Sequence, residues 1–292
     1  MMYPILCKVR YEALAVVVRS RALWMQIGVS FVLNWVVAPL FMVGLAWAFL
    51  PDRRDLREGV MFVGMGRCIA MVLVWTELAG GDGEYCAVLV AVNSVLQIVL
   101  FAPLAVFYVQ VVSGGEARRV SYRGVAQSVG VFLGMPLGAA VVTRWGLRRL
   151  VGERRYQSRF VRYSGPVSLV GLLYTIVVLF ASQGGRVVGQ IRDVLRVCGP
   201  LLVYFLVMFT GTIWACWKMG FGYQVSCTQG LTAASNNFEL AIAVVVAVYG
   251  AGSGQALAST VGPLMEVPVL VGLVYGLRWT RARWPWADGA DV

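Results

Sequence analysis

The chain has 292 residues, of which 59% are hydrophobic and 13% charged, with a net charge of +11 and no histidine. Soluble domains carry about 25% charged residues, so this composition excludes an ordinary soluble domain and indicates an all-α polytopic membrane protein. Without histidine or a Gly-Lys-Ser/Thr sequence, the residues of a His-based triad, a His-ligated zinc site and an ATP-binding P-loop are missing. We therefore expect no cofactor and no requirement for an ATPase subunit.

Apolar runs predict eight complete spans. In chain order they cover residues 22–50, 59–79, 84–110, 124–143, 165–182, 197–217, 223–249 and 255–279. The segments between the spans carry 15 Lys and Arg residues on one side and 9 on the other, and the positive-inside rule then predicts cytoplasmic N- and C-termini in a plasma membrane protein. Basic loops of this kind face anionic lipid, so we expect the bilayer as a partner and no nucleic acid.

Polar or glycine-rich stretches interrupt two of these spans. The second span contains Arg67 and Cys68 and ends at "AGGDGEY", and the seventh contains "TAASNNFELA" followed by "YGAGSGQ". Irregular backbone at membrane depth is tolerated where it lines a cavity or is buried in protein. These features predict two discontinuous helices that cross near the bilayer midplane.

The two interrupted regions resemble each other when the chain is shifted by 171 residues, which aligns Gly83 with Gly254. They are five spans apart, and an odd step reverses orientation, as in inverted-repeat secondary transporters. The pattern predicts a first repeat over 1–112, a second inverted repeat over 113–279 and a cytoplasmic tail over 280–292. Residue 1 aligns with residue 172, inside the fifth span, so the first repeat is expected to lack one span and most of a second, leaving eight complete spans of an expected ten.

Ionisable residues inside spans are functional-site candidates because they are costly to bury. Cys68 adjoins Arg67, and a neighbouring positive charge makes a thiol a better ligand for soft elements; the alternative is a small core cysteine. Glu266 lies between two prolines near mid-membrane, where it could take up and release a proton. Glu239 could do the same or belong to a polar network that holds the break together.

Asparagines complete the candidate set. Asn236 and Asn237 lie in mid-span, and Asn93 could hydrogen-bond across helices from the third span. The charge runs "RRDLRE" and "RRLVGERRYQSR" are expected to be solvated loops.

Four stretches carry a resemblance to a known family: "NWVVAPLFMVGLAWAFL", "GRCIAMVLVWTELAGGDGEYCAVLVAVNSVLQ", "TAASNNFELAIAVVVAVYG" and "GPLMEVPVLVGLV". They resemble the arsenite efflux permeases of the bile acid/arsenite/riboflavin transporter superfamily. The resemblance implies ten spans in two inverted repeats and extrusion of arsenite, sometimes antimonite, in exchange for protons. It also implies that the essential cysteine is Cys68, that Glu239 and Glu266 are the motif carboxylates, and that Asn93 is the motif asparagine.

The chemistry of arsenite agrees with these candidates. Trihydroxyarsenic(III) is neutral at pH 7, soft at arsenic and able to hydrogen-bond through oxygen. One thiol with amide and carboxylate groups gives a site that binds and releases it. The predicted substrate-binding residues are Cys68, Asn93, Asn236 and Asn237. The predicted proton-coupling residues are Glu266 and Glu239, and Arg67 is predicted to have a supporting role. No metal site is expected.

Other functions compete with this interpretation. A sodium-coupled organic-anion carrier of the same superfamily would bind sodium at the broken helices and would not need Cys68. An inactive truncated remnant is the second alternative. An intramembrane enzyme is disfavoured because magnesium-dependent or aspartyl chemistry needs mid-span aspartates, and the sequence has none.

Overall fold

The computed structural model describes residues 2–7, 9, 21–114, 120–281, 283, 284 and 286. Within that part of the chain the regular structure is helical. The helices are α1 (Met2–Leu6), α2 (Leu23–Phe49), α3 (Arg54–Met65), α4 (Met71–Ala79), α5 (Gly83–Val112), α6 (Tyr122–Val151), α7 (Arg162–Gly189), α8 (Ile191–Lys218), α9 (Tyr223–Ala234), α10 (Phe238–Tyr249) and α11 (Gly254–Arg281). Short helical segments at Glu153–Arg155 and Tyr156–Val161 connect α6 to α7.

The prediction of a polytopic helical membrane protein is confirmed. Five described helices, α2, α5, α6, α8 and α11, are long and apolar enough to cross a membrane. The second and seventh predicted spans are each two helices, α3 with α4 and α9 with α10, separated by non-helical residues. Most of the predicted tail over 280–292 lies outside the described residues.

The order of elements occurs twice along the chain. A long helix, a broken helix and a second long helix follow one another as α2, α3/α4, α5 and again as α8, α9/α10, α11. Gly83 and Gly254, which the 171-residue shift aligns, each begin the helix that follows a broken pair. This order agrees with the predicted repeats, whose boundaries at 112 and 279 stay a prediction.

The charge run "RRDLRE" is not a solvated loop, which corrects the prediction. Most of it forms the first turns of α3, and Arg57 and Glu58 are buried. Glu58 Oε2 accepts hydrogen bonds from the Tyr249 hydroxyl at 3.0 Å and from Gln255 Nε2 at 3.1 Å, and Arg57 stacks on the Trp47 ring. The charges are buried because groups on other helices pair with them, which a run of charged letters does not reveal.

The loop before α3 is tied to α8 by ion pairs. Arg53 Nη1 lies 2.6 Å from Asp193 Oδ1, and Arg196 Nη1 lies 2.9 Å from Asp52 Oδ2. The Arg196 hydrogen bond lowers the pKa of Asp52 to about 2. The loop therefore connects the start of the first broken helix to the second half of the chain.

Helix α11 packs closely against both broken helices. A Cβ atom added at Gly59 of α3 would lie 2.8 Å from the Ala258 Cβ, and one added at Gly262 of α11 would overlap the Phe238 ring of α10. Real side chains do not approach so closely, so glycine is required at both positions. The result is a wedge in which α11 touches α3 on one side and α10 on the other.

Candidate functional site

The two helix breaks meet through their backbones. The first break covers residues 66–70 and the second residues 235–237, and Arg67 and Asn236 form an isolated antiparallel β-bridge. The Asn237 N–H donates to the Gly66 carbonyl at 3.1 Å, and the Cys68 N–H donates to the Ser235 carbonyl at 3.4 Å. Each break thus satisfies backbone groups of the other, as unwound chain inside a membrane requires.

The Arg67 side chain is fully buried at this crossing. Its Nη1 donates to the Tyr204 hydroxyl at 2.9 Å, and its Nη2 donates to Asn236 Oδ1 at 2.8 Å and to the Gly64 carbonyl. The guanidinium therefore joins both breaks and helix α8.

Cys68 is the next residue and is also buried, at 3% exposure. Successive side chains of an extended segment point to opposite sides, so the thiol and the guanidinium diverge. The structure gives the guanidinium partners on α8 and at the second break. The supporting role of Arg67 beside the thiol stays a prediction. The backbone of Cys68 contacts Ser235, and the next residue, Asn236, donates its N–H to the Glu266 carboxylate.

The two carboxylates differ in their surroundings. Glu266 on α11 is 5% exposed, and its Oε1 accepts a hydrogen bond from the Asn236 N–H at 3.4 Å. Glu239 lies in the first turn of α10, where the helix N-terminus favours a negative charge, and it is partly exposed. Glu266 is therefore the carboxylate that contacts the crossing directly.

Helix α5 supplies polar groups from a third direction. Asn93 is buried, and its Oδ1 accepts a hydrogen bond from Trp35 Nε1 at 3.0 Å. Gln97 follows one turn later on the same face, and its Oε1 accepts a 2.6 Å hydrogen bond from the Arg67 N–H. Helix α5 thus contacts the first break through Gln97 and carries Asn93 one turn earlier on the same face.

Each amide at the site keeps a buried donor without a partner among the described residues. The oxygen of each is occupied: Asn237 Oδ1, for example, caps α10 by accepting from the Leu240 N–H at 3.1 Å. The unpartnered donors are Nδ2 of Asn93, Asn236 and Asn237 and Nε2 of Gln97. Buried polar groups are nearly always hydrogen-bonded, so this set indicates a polar ligand or water.

Sequence reasoning predicted Cys68, Glu266 and the asparagines as site residues but not three residues that hold Arg67 and the asparagines in place. Gln97 lies in the same "VNSVLQ" stretch as Asn93, so its helical spacing was an available signal. Tyr204 and Trp35 lie in apolar spans with no local signal, and their roles depend on tertiary contacts. In the part of the chain that the structure describes, no three Cys, Asp or Glu side chains are grouped to hold a metal ion.

Comparisons with known proteins assign this architecture to a family. Residues 1–190 match the Sodium Bile acid symporter family. The chain is 47% identical over 284 residues to the arsenical-resistance protein Acr3 of Corynebacterium glutamicum, which covers 96% of this chain and 76% of that protein. It is 31% identical to the Acr3 protein of Alkaliphilus metalliredigens over 98% of this chain and 81% of that protein. An uncharacterized transporter of Synechocystis is 30% identical over 94% of this chain and 75% of its own length. The chain therefore belongs to the Sodium Bile acid symporter family and, within it, to the arsenite efflux permeases that its motifs resemble.

Proposed function

We propose that this protein exports arsenite across the plasma membrane in exchange for protons and so confers arsenical resistance, with antimonite as a second substrate. Both Acr3 relatives are arsenical-resistance proteins by name, and the family is one of transporters. The termini are assigned to the cytoplasm on the distribution of basic residues.

The observation that carries the proposal is the set of unpartnered amide donors on the elements that meet at the crossing, where the Cys68 thiol is buried. Trihydroxyarsenic(III) offers hydroxyl oxygens that accept hydrogen bonds and hydroxyl protons that can be donated to carboxylates. The amides of Asn93, Asn236 and Asn237 present donors, and the Glu266 carboxylate, which contacts the Asn236 N–H, presents acceptors at the crossing. Each asparagine is held by its own oxygen partner, so its NH₂ group is oriented before substrate arrives.

The thiol supplies the contact to arsenic. In the bound state the sulfur of Cys68 forms a bond to arsenic while one As–O bond breaks, and the thiol proton leaves with that hydroxyl as water. Release reverses the step by addition of water, so no oxidant or reductant is consumed. One As–S bond is reversible, whereas three converging thiols would hold the substrate.

Proton exchange is assigned to the two carboxylates. Glu266 is buried beside the crossing and Glu239 lies at the start of α10, partly exposed. Ionisable side chains in such positions mark proton pathways in membrane transporters. Glu266 would carry the proton at the site, and Glu239 would pass it to and from water.

Everted membrane vesicles test this function. We expect vesicles that contain the chain to accumulate arsenite when the interior is acidic, and vesicles with the Cys68→Ser variant to accumulate none. Uptake that depends on an imposed sodium gradient but not on a pH gradient would instead support the sodium-coupled carrier. No uptake under either gradient would support the inactive remnant.

A further inference from the structure

We propose that the Arg67 guanidinium is a built-in cation, held at the crossing in the place where a broken-helix carrier would bind a dissociable coupling cation such as Na⁺. The consequence, that arsenite export does not need sodium, rests on the proposed function. The assignment itself rests on the contacts of Arg67 and Tyr204 and does not depend on the proposed function.

The first observation is the chemistry of the shell around the guanidinium. Its partners are a backbone carbonyl, an amide oxygen and a hydroxyl oxygen, from Gly64, Asn236 and Tyr204. Such neutral and anionic oxygens are the ligands of hard metal cations in proteins. Among the described residues no carboxylate forms an ion pair with Arg67, so the shell stabilises a buried charge through dipoles.

The second observation is the direction of the half-helices. Gly64 lies in the last turn of α3, and Ala233 lies in the last turn of α9, where its carbonyl is 3.3 Å from the Tyr204 hydroxyl. A helix C-terminus carries about half a negative charge. Two such ends therefore meet around Arg67 and Tyr204, and in transporters with broken helices such ends coordinate Na⁺ or H⁺.

The difference from a bound ion is that Arg67 cannot leave. A dissociable sodium ion couples transport to its own gradient because it enters on one side and departs on the other. A guanidinium that is covalently attached neutralises the same helix ends permanently, so the first break stays assembled in sodium-free conditions. In this proposal, the fixed charge of Arg67 is the reason that a sodium gradient does not drive transport.

A thermal-stability measurement on the purified full chain tests the assignment without arsenite. We expect the wild-type protein to melt at the same temperature in sodium chloride and in choline chloride at equal ionic strength. Arg67→Ala and Arg67→Gln should melt lower in choline, and sodium at about 150 mM, or guanidinium at a few millimolar, should raise their melting temperature by about 2 °C or more. Arg67→Lys keeps a charge and should show little sodium response.

Arg144 offers a matched control. It is a buried arginine away from the crossing, where its Nη1 donates to the Cys7 carbonyl at 3.3 Å and its guanidinium lies 5.4 Å from the Tyr156 ring centroid. Arg144→Ala should destabilise the protein equally in both salts and show no rescue by sodium or guanidinium.

Two results would overturn the assignment. One is saturable stabilisation of the wild-type protein by sodium, and the other is the absence of any cation response in Arg67→Ala and Arg67→Gln. If neither variant can be purified, the wild-type comparison decides alone. Cation rescue of the variants in a protein that moves no arsenite would contradict the proposed function and leave the assignment of Arg67 standing.

Discussion

The two helix breaks cross with similar backbone contacts, yet they are supported in different ways. The second break is capped from within, because Asn237 accepts the hydrogen bond of the Leu240 N–H at the start of α10. The first break has no side-chain cap before α4, and its Arg67 N–H is satisfied by Gln97 of the separate helix α5. The comparison teaches that the second break is a local structure, whereas the first depends on the helices around it.

The chemistry of the breaks also differs. The first break contributes a thiol and a fixed positive charge, and the second contributes amides and leads into Glu239. In the proposed function, the first break binds arsenic, and the second break with Glu266 handles hydroxyls and protons. Four predictions test this division, beginning with the largest effect.

Cys68→Ser should reduce arsenite uptake by everted vesicles to the level of vesicles without the protein, because a hydroxyl does not replace sulfur as a soft ligand. Cys86→Ser and Cys198→Ser are the matched controls and should transport at near-normal rates. Normal transport by Cys68→Ser would show that the thiol does not bind arsenic and that the first break has only a structural role.

Glu266→Gln should lower uptake driven by an imposed pH gradient to about a tenth or less, because the amide cannot carry a proton at the crossing. Arsenite should still protect Cys68 of this variant from a thiol reagent, since the thiol and Asn93 remain. Gradient-driven uptake at the normal rate would transfer the role of proton carrier to Glu239.

Gln97→Leu should destabilise the protein by about 1–3 kcal/mol, because it leaves the buried Arg67 N–H without an acceptor. Gln97→Glu keeps an acceptor at the same length and should recover most of the loss in melting temperature. An unchanged melting temperature for Gln97→Leu would show that the first break does not depend on α5.

Asn237→Ala should cost about 1 kcal/mol, the usual effect of removing a helix N-cap. Asn237→Asp retains the capping oxygen and should melt near the wild-type temperature, although it lacks the Nδ2 donor proposed to bind substrate. If Asn237→Ala destabilises the protein more than Gln97→Leu does, the order of dependence between the two breaks is reversed.

The sequence predicted the broken helices because polar and glycine residues in the middle of an apolar span interrupt the helix, and the unwound backbone must then be buried in protein or line a cavity. It also predicted Cys68 and Glu266 as members of one site. The structure places Cys68 in the first break and gives Glu266 a hydrogen bond from Asn236 of the second, and their roles stay a prediction. Adjacency in sequence did not reveal the partners of Arg67, because its guanidinium contacts Tyr204 and Asn236, which lie far along the chain.

Sequence reasoning missed Tyr204 and the partners of the buried charges because these residues act through long-range contacts. Tyr204 is a common residue in an apolar span, and its hydroxyl gains meaning from the Arg67 side chain 137 residues away. The buried charges of α3 were missed because their partners, Tyr249 and Gln255, lie on helices far along the chain. Long-range pairing of this kind depends on the fold and leaves no local pattern.

The close packing of α11 has a consequence for the transport cycle. With glycine contacts at Gly59 and Gly262, this helix is wedged between the two broken helices and carries Glu266 with it. We therefore expect Glu266 to keep its position relative to the two breaks during the proposed transport cycle. In the proposed function, proton and arsenite would then bind in turn at a site whose geometry this packing fixes.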